Sequence, residues 1–88
     1  CFRALDPAIR IRWHVGEGQR VEPGTVLCTL EGRSRALVSA ERSALNFLQT
    51  LSATATTTAA YAAALTGTRT RVLDTRKTLP GLRLAQKY

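Results

Sequence analysis

Methionine is absent from this chain, and acidic residues are scarce: six Asp and Glu stand against thirteen Lys and Arg. Without a methionine the chain does not begin at a translation start, and it reads as an internal piece of a longer protein. The formal charge of +7 concentrates anions near the surface, whether nucleic acid, phosphate or polycarboxylate, without choosing among them. There are only two cysteines, Cys1 and Cys28, with no CxxC and no histidine at metal-ligand spacing. That argues against a zinc ribbon and a disulfide framework. Both are expected to be reduced, one of them as a small core residue, which fits a cytoplasmic compartment. No apolar run nears the roughly 18 to 20 residues that span a bilayer, and CFRALDPAIR at the start lacks the apolar core of a signal peptide. No membrane partner is expected. The two Tyr and two Phe are scattered rather than interleaved with arginines, so a stacking platform for nucleic acid is not expected either. There is no Walker loop, no GxGxxG and no paired-carboxylate arrangement.

What is present divides by periodicity. IRIRWHV places Ile9, Ile11, Trp13 and Val15 alternately with Arg10, Arg12 and His14, the period of a half-buried strand. GEGQRVEPG interrupts it with three glycines and a proline, so turns follow. TVLCTLEG puts Val26, Cys28 and Leu30 on one strand face, and Ala36 to Val38 reads as a short third strand. Residues 9–38 are thus expected to be strand-rich.

The pattern changes at Ser39. From Ala40 to Leu65 there is neither glycine nor proline, and Leu45, Leu48 and Leu51 recur at helical spacing. A helix over about 40–65 is predicted, with Ser39 as N-cap, Glu41 in the first turn and Gly67 at the C-cap. Its middle, SATATTTAAYAAAL, mixes the best helix former with a poor one, so a break near Ser52–Thr54 stays open. TRVLDT then reads as a strand over about 70–75, RKTLPG as a loop, and a second helix is predicted from about Pro80, with Thr78 as its N-cap. Helix, strand, cationic loop and helix start together describe the entry to an α/β architecture, whose strand needs neighbours to bury it.

Position singles out a few residues. Arg76 and Lys77 lie at the C-terminal end of the predicted strand, where α/β folds bind ligands. An arginine grips a carboxylate or phosphate with parallel hydrogen bonds, and a lysine adds a compact charge. The competing reading is an ordinary solvated loop. Arg42 falls in the predicted first helical turn, where a cation opposes the helix dipole unless an anion joins it; a surface arginine covering apolar area is the alternative. His14 has no catalytic partner suggested by spacing and is read as structural or exposed. Trp13, on the opposite face, is read as core.

ERSALNFLQTLSATAT (Glu41 to Thr56) and LDTRKTLPGLRLAQKY (Leu73 to Tyr88) resemble the quinolinate phosphoribosyltransferases. The resemblance runs over essentially the whole chain; WHVGEGQRVEPGTVLCTLEG is similar to the strand-rich N-terminal domain of that family, less distinctively. It implies an α/β fold: residues 1–66 as part of an α+β N-terminal domain, and 67–88 as the first β/α unit of a partial barrel with a substrate loop at 76–79. It implies transfer of phosphoribose from phosphoribosyl pyrophosphate to quinolinate, releasing pyrophosphate and carbon dioxide, with Mg²⁺ present and its ligands past Tyr88. It implies a homo-oligomer built from dimers. Arg42 would reach quinolinate in the neighbouring subunit, while Thr75, Arg76 and Lys77 would form the substrate-binding loop. No catalytic residue is assignable within the chain, and the isolated piece is expected to be inactive. Ala53 departs from the family's usual glycine after TLS.

Two other readings stay open. One is a relative on the same scaffold that uses another substrate. The other is a non-catalytic basic binding or carrier domain: GEGQRVEPGTVLCTLEG resembles the turns of biotinyl and lipoyl carriers. Those need a lysine at the next hairpin tip, where this chain has only Arg33 and Arg35.

Overall fold

The computed structural model describes residues 1–77 and 79–87. The order of elements is α1 (Phe2–Leu5), β1 (Arg10–Trp13), β2 (Cys28–Glu31), α2 (Ser34–Ala64) and α3 (Arg83–Lys87). The chain forms two compact units, Cys1–Gln49 and Thr50–Tyr88, and α2 contributes to both.

In the first unit the alternating sequence around Ile11 forms a hairpin. β1 and β2 pair antiparallel with Arg10 opposite Glu31, Ile11 opposite Leu30, Arg12 opposite Thr29 and Trp13 opposite Cys28. The period-2 pattern sets this register, because a one-residue slip would turn Ile11 and Leu30 to the wrong face. Arg10 and Glu31 stand 3.9 Å apart across the pair, and both are exposed, so their attraction contributes little. The His14 N–H continues the ladder to the Leu27 carbonyl (2.9 Å), and its Nε2 lies 2.7 Å from the Thr29 hydroxyl. That bond occupies His14 structurally.

The buried centre is small. Ile9 and Ala40 are each 2% exposed. A Cβ on Gly32 would come within 2.6 Å of Ile9 Cγ1, so the turn after β2 closes on Ile9 only because residue 32 has no side chain. Asp6 braces the same region with a carboxylate 14% exposed: Oδ1 accepts the Ala8 N–H (3.0 Å), and Oδ2 lies 3.8 Å from Arg33 Nε. Both cysteines are free, Cys1 exposed and Cys28 half-buried.

Three expectations for this unit are corrected. Ala36–Val38 is not a third strand but the opening of α2, which begins at Ser34 rather than after Ser39. The Arg33 carbonyl accepts the Ala36 and Leu37 N–H groups (3.0 and 3.1 Å), so this segment meets its backbone bonds locally without a partner strand. Leu37, Ala40, Ala44, Leu48 and Leu51 then form the less exposed stripe of the helix, spaced three and four residues apart. Trp13, read as core, is 60% exposed, because a two-stranded ribbon covers little of its own face.

α2 runs unbroken for 31 residues through Ser52–Thr54. The Thr54 hydroxyl donates to the Thr50 carbonyl (3.0 Å), which meets its polar group inside the helix. Alanine propensity carries the stretch that the threonines left undecided. In the second unit α2 ends at Ala64, with Gly67 at φ 83 in the closing turn.

Two expectations in this unit are also corrected. Among the described residues no strand forms over 70–75; the segment is exposed, and Leu73 is 83% exposed. A strand is held by a neighbour's N–H and C=O groups, and none of the described residues supplies them. The second helix, α3, starts at Arg83 rather than near Pro80. Leu79-Pro80-Gly81-Leu82 is a turn instead, closed by the Leu82 N–H to the Leu79 carbonyl (3.2 Å), with Gly81 at φ 75. Proline followed by glycine is the preferred central pair of a type II turn. Thr78, expected as an N-cap, lies outside the described residues.

No helix among the described residues is long and apolar enough to cross a membrane.

Candidate functional site

The route from α2 to the cationic loop is fixed by short-range bonds. The Thr68 hydroxyl donates to the Leu65 carbonyl (2.8 Å) and accepts the Thr70 N–H (3.2 Å). The chain then runs exposed to Asp74, whose Oδ1 accepts the Arg76 N–H at 2.7 Å. This is an Asx turn, in which a short carboxylate takes the place of a backbone carbonyl.

Arg76 has φ 54, in the left-handed region, and it is the non-glycine residue found there among those described. For an L-residue with a Cβ this costs about 1–2 kcal/mol. The chain bends at Arg76. In an extended segment Arg76 and Lys77 would point to opposite sides; the bend removes that alternation.

Thr75, Arg76 and Lys77 are contiguous and exposed. Among the described residues, neither cation has a carboxylate within ion-pair distance. Arg69, Arg71 and Arg83 add charge in the same unit, against Asp74 as its acid. The loop can therefore offer a planar guanidinium, an ammonium and a hydroxyl to an anion.

Arg42 is placed differently from expectation. It is exposed on α2 in the other unit, more than two turns beyond Ser34. The helix dipole acts within the first turn, so the electrostatic argument for Arg42 at a helix N-terminus no longer applies. Val38, Leu45 and Phe47 flank it on the same helix as exposed apolar side chains.

Two open hollows lie along the end of α2 in the second unit. One, of about 390 Å³, is lined by Ala53, Thr54, Thr57, Thr58 and Tyr61. The other, of about 300 Å³, adds Arg71 and Val72 beside Thr58 and Leu65. Neither includes Thr75, Arg76 or Lys77, so the cationic loop is separate from these two hollows. Sequence reasoning did not single out Asp74; an Asp two residues before the position it bonds was the available signal.

Comparison with known proteins gives one answer at both ends. Residues 1–52 match the model of the quinolinate phosphoribosyl transferase N-terminal domain, and residues 54–88 match that of its C-terminal domain. The chain is 45% identical over 87 residues to a probable nicotinate-nucleotide pyrophosphorylase (carboxylating) of Synechocystis sp., covering 99% of this chain and 30% of that protein. It is 44% identical over 79 residues to the nicotinate-nucleotide pyrophosphorylase (carboxylating) of Mycobacterium leprae, covering 90% and 28%. It is 39% identical over 87 residues to quinolinate phosphoribosyltransferase (decarboxylating) 1b of Nicotiana tabacum, covering 99% and 24%. The chain therefore spans less than a third of the length of these curated relatives.

Proposed function

The chain belongs to the quinolinate phosphoribosyltransferase family, and from that premise we propose that its parent protein makes nicotinate mononucleotide from quinolinate and phosphoribosyl pyrophosphate. The ring nitrogen of quinolinate bonds to the ribose anomeric carbon as pyrophosphate leaves. The adjacent carboxylate departs as carbon dioxide, and a proton takes its place on the ring. The observation that carries this reading is the Thr75-Arg76-Lys77 loop, exposed and bent inside a segment that matches the family's C-terminal domain.

Both reactants are polyanions, so binding is chiefly a matter of placing cations. Arg76 and Lys77 neutralise and orient carboxylate and phosphate groups, and Thr75 adds a hydroxyl beside them. Each charged hydrogen bond contributes about 1.5–3 kcal/mol. Arg42 serves the active site of a second copy in a homo-oligomer, its arrival aided by the exposed apolar residues around it on α2. Two free cysteines agree with a reducing, cytoplasmic setting.

Mg²⁺ demands several oxygen ligands in near-octahedral order. Among the described residues no group of three His, Cys, Asp or Glu is placed to hold a metal. The protein ligands of the Mg²⁺ that the family implies would lie past Tyr88, acting with water and the substrate phosphates, and no step is assigned to the ion on this chain.

The test is direct. Full-length protein given quinolinate and phosphoribosyl pyrophosphate should form nicotinate mononucleotide, pyrophosphate and carbon dioxide. Arg42→Ala should weaken quinolinate binding more than about tenfold, the effect of losing one charged hydrogen bond. Unchanged affinity would remove Arg42 from the site. Absence of turnover together with salt-sensitive oligonucleotide binding would favour a basic binding protein instead.

A further inference from the structure

We infer that Asp74 is a positioning residue for the substrate loop, acting through the backbone of Arg76 rather than on the substrates. The inference rests on the function proposed above, and it goes further by naming what holds the loop in shape.

Three observations meet here. The Asp74 Oδ1 accepts the Arg76 N–H at 2.7 Å, a short bond of the charge-assisted kind. Arg76 sits at φ 54, where a side chain is disfavoured and glycine or asparagine would be cheaper. Arg76 and Lys77 are exposed, with no carboxylate at ion-pair distance among the described residues. The Asp74 carboxylate is thus committed to the backbone through the oxygen described, instead of pairing with the cations two and three residues away.

That arrangement resolves a conflict. A strained left-handed arginine persists only where something holds it. An aspartate salt-bridged to Arg76 would occupy the guanidinium that an anion needs. Bonded to the backbone N–H, the same aspartate stabilises the bend and leaves the guanidinium available. The requirement on residue 74 is a short side chain with an acceptor oxygen; a negative charge is secondary.

This separates the idea from any role of Asp74 as an acid, a base or a direct substrate contact. Asparagine keeps an acceptor oxygen at the same reach and forms the same turn, whereas alanine removes the acceptor. In the full-length protein, Asp74→Ala should raise KM for the anionic substrates by about 10- to 100-fold, the cost of a small misplacement of binding groups. The change should fall on KM rather than kcat, as for lost binding. Asp74→Asn should stay within about threefold of the parent in both, because the turn is retained. Hydrogen exchange at the Arg76 amide, followed in protein labelled at arginine nitrogen, should be fast in the Ala variant and parent-like in the Asn variant.

An Asn variant as impaired as the Ala variant would overturn the inference, since charge and not the acceptor would then matter. So would an Ala variant with parental KM. If the Ala variant does not fold, the Asn variant decides the matter alone by its KM and amide exchange. If the unsubstituted protein fails to convert quinolinate, the functional reading falls separately. The amide exchange then still judges whether Asp74 holds the loop.

Discussion

The two units differ in what holds them. Cys1–Gln49 has paired strands, two fully buried apolar residues and nearly balanced charge, with seven basic against five acidic residues. Thr50–Tyr88 has no strand and no buried residue among those described, and six basic residues against Asp74 alone. The first is organised by a hairpin that satisfies itself. The second is organised by hydrogen bonds spanning two to four residues, and it carries most of the excess charge. Self-sufficient packing and the surplus of positive charge thus occupy different parts of the chain, because clustered cations repel one another and resist burial.

Substitutions can break or sharpen that contrast. The largest stability effect belongs to Ile9→Ala in the 88-residue chain. Losing a buried side chain should cost about 2–5 kcal/mol, read from the shift in the urea midpoint. A change below about 0.5 kcal/mol, the level of a surface substitution, would mean that the first unit has no real core.

Gly32→Ala comes next, at roughly 1–3 kcal/mol, since its new methyl would overlap Ile9 Cγ1. Combining it with Ile9→Ala, which removes Cγ1 where valine would keep it, should recover part of the loss if that contact is the cause, which a double-mutant cycle measures. Additive effects would place the strain elsewhere.

Leu73→Ala should be the smallest, within about 0.5 kcal/mol in this chain, because Leu73 is 83% exposed. The same substitution in the full-length protein provides the sharper comparison. A cost of about 2–5 kcal/mol there would mean that neighbouring strands bury this segment, and equal small effects in both would mean that it remains a loop.

The legibility of the chain follows the range of the forces involved. The alternation around Ile11, and a second one over Val26, Cys28 and Leu30, located both paired strands, because side chains alternate whatever lies nearby. The run without glycine or proline located α2, though not its start. Residues 34–38 carry no periodic strand signal, and short apolar segments are ambiguous between helix and strand. The Pro80-Gly81 pair was a legible turn signal that gave way to the rule favouring proline in a first helical turn. The cationic loop was visible as Arg76-Lys77, whereas its left-handed bend was not, since arginine has no preference for that conformation.

The sequence by itself determined the hairpin, the long helical segment, the concentration of positive charge after Gly67 and the family. Each is written in local periodicity, composition or a contiguous motif. Tertiary structure decided that α2 starts at Ser34, that Trp13 faces solvent, that residues 70–75 find no partner strand among the described residues and that Asp74 bonds to the Arg76 backbone. Burial, strand pairing and the choice between a backbone and a side-chain partner depend on which groups meet in space, and no single residue type carries that information.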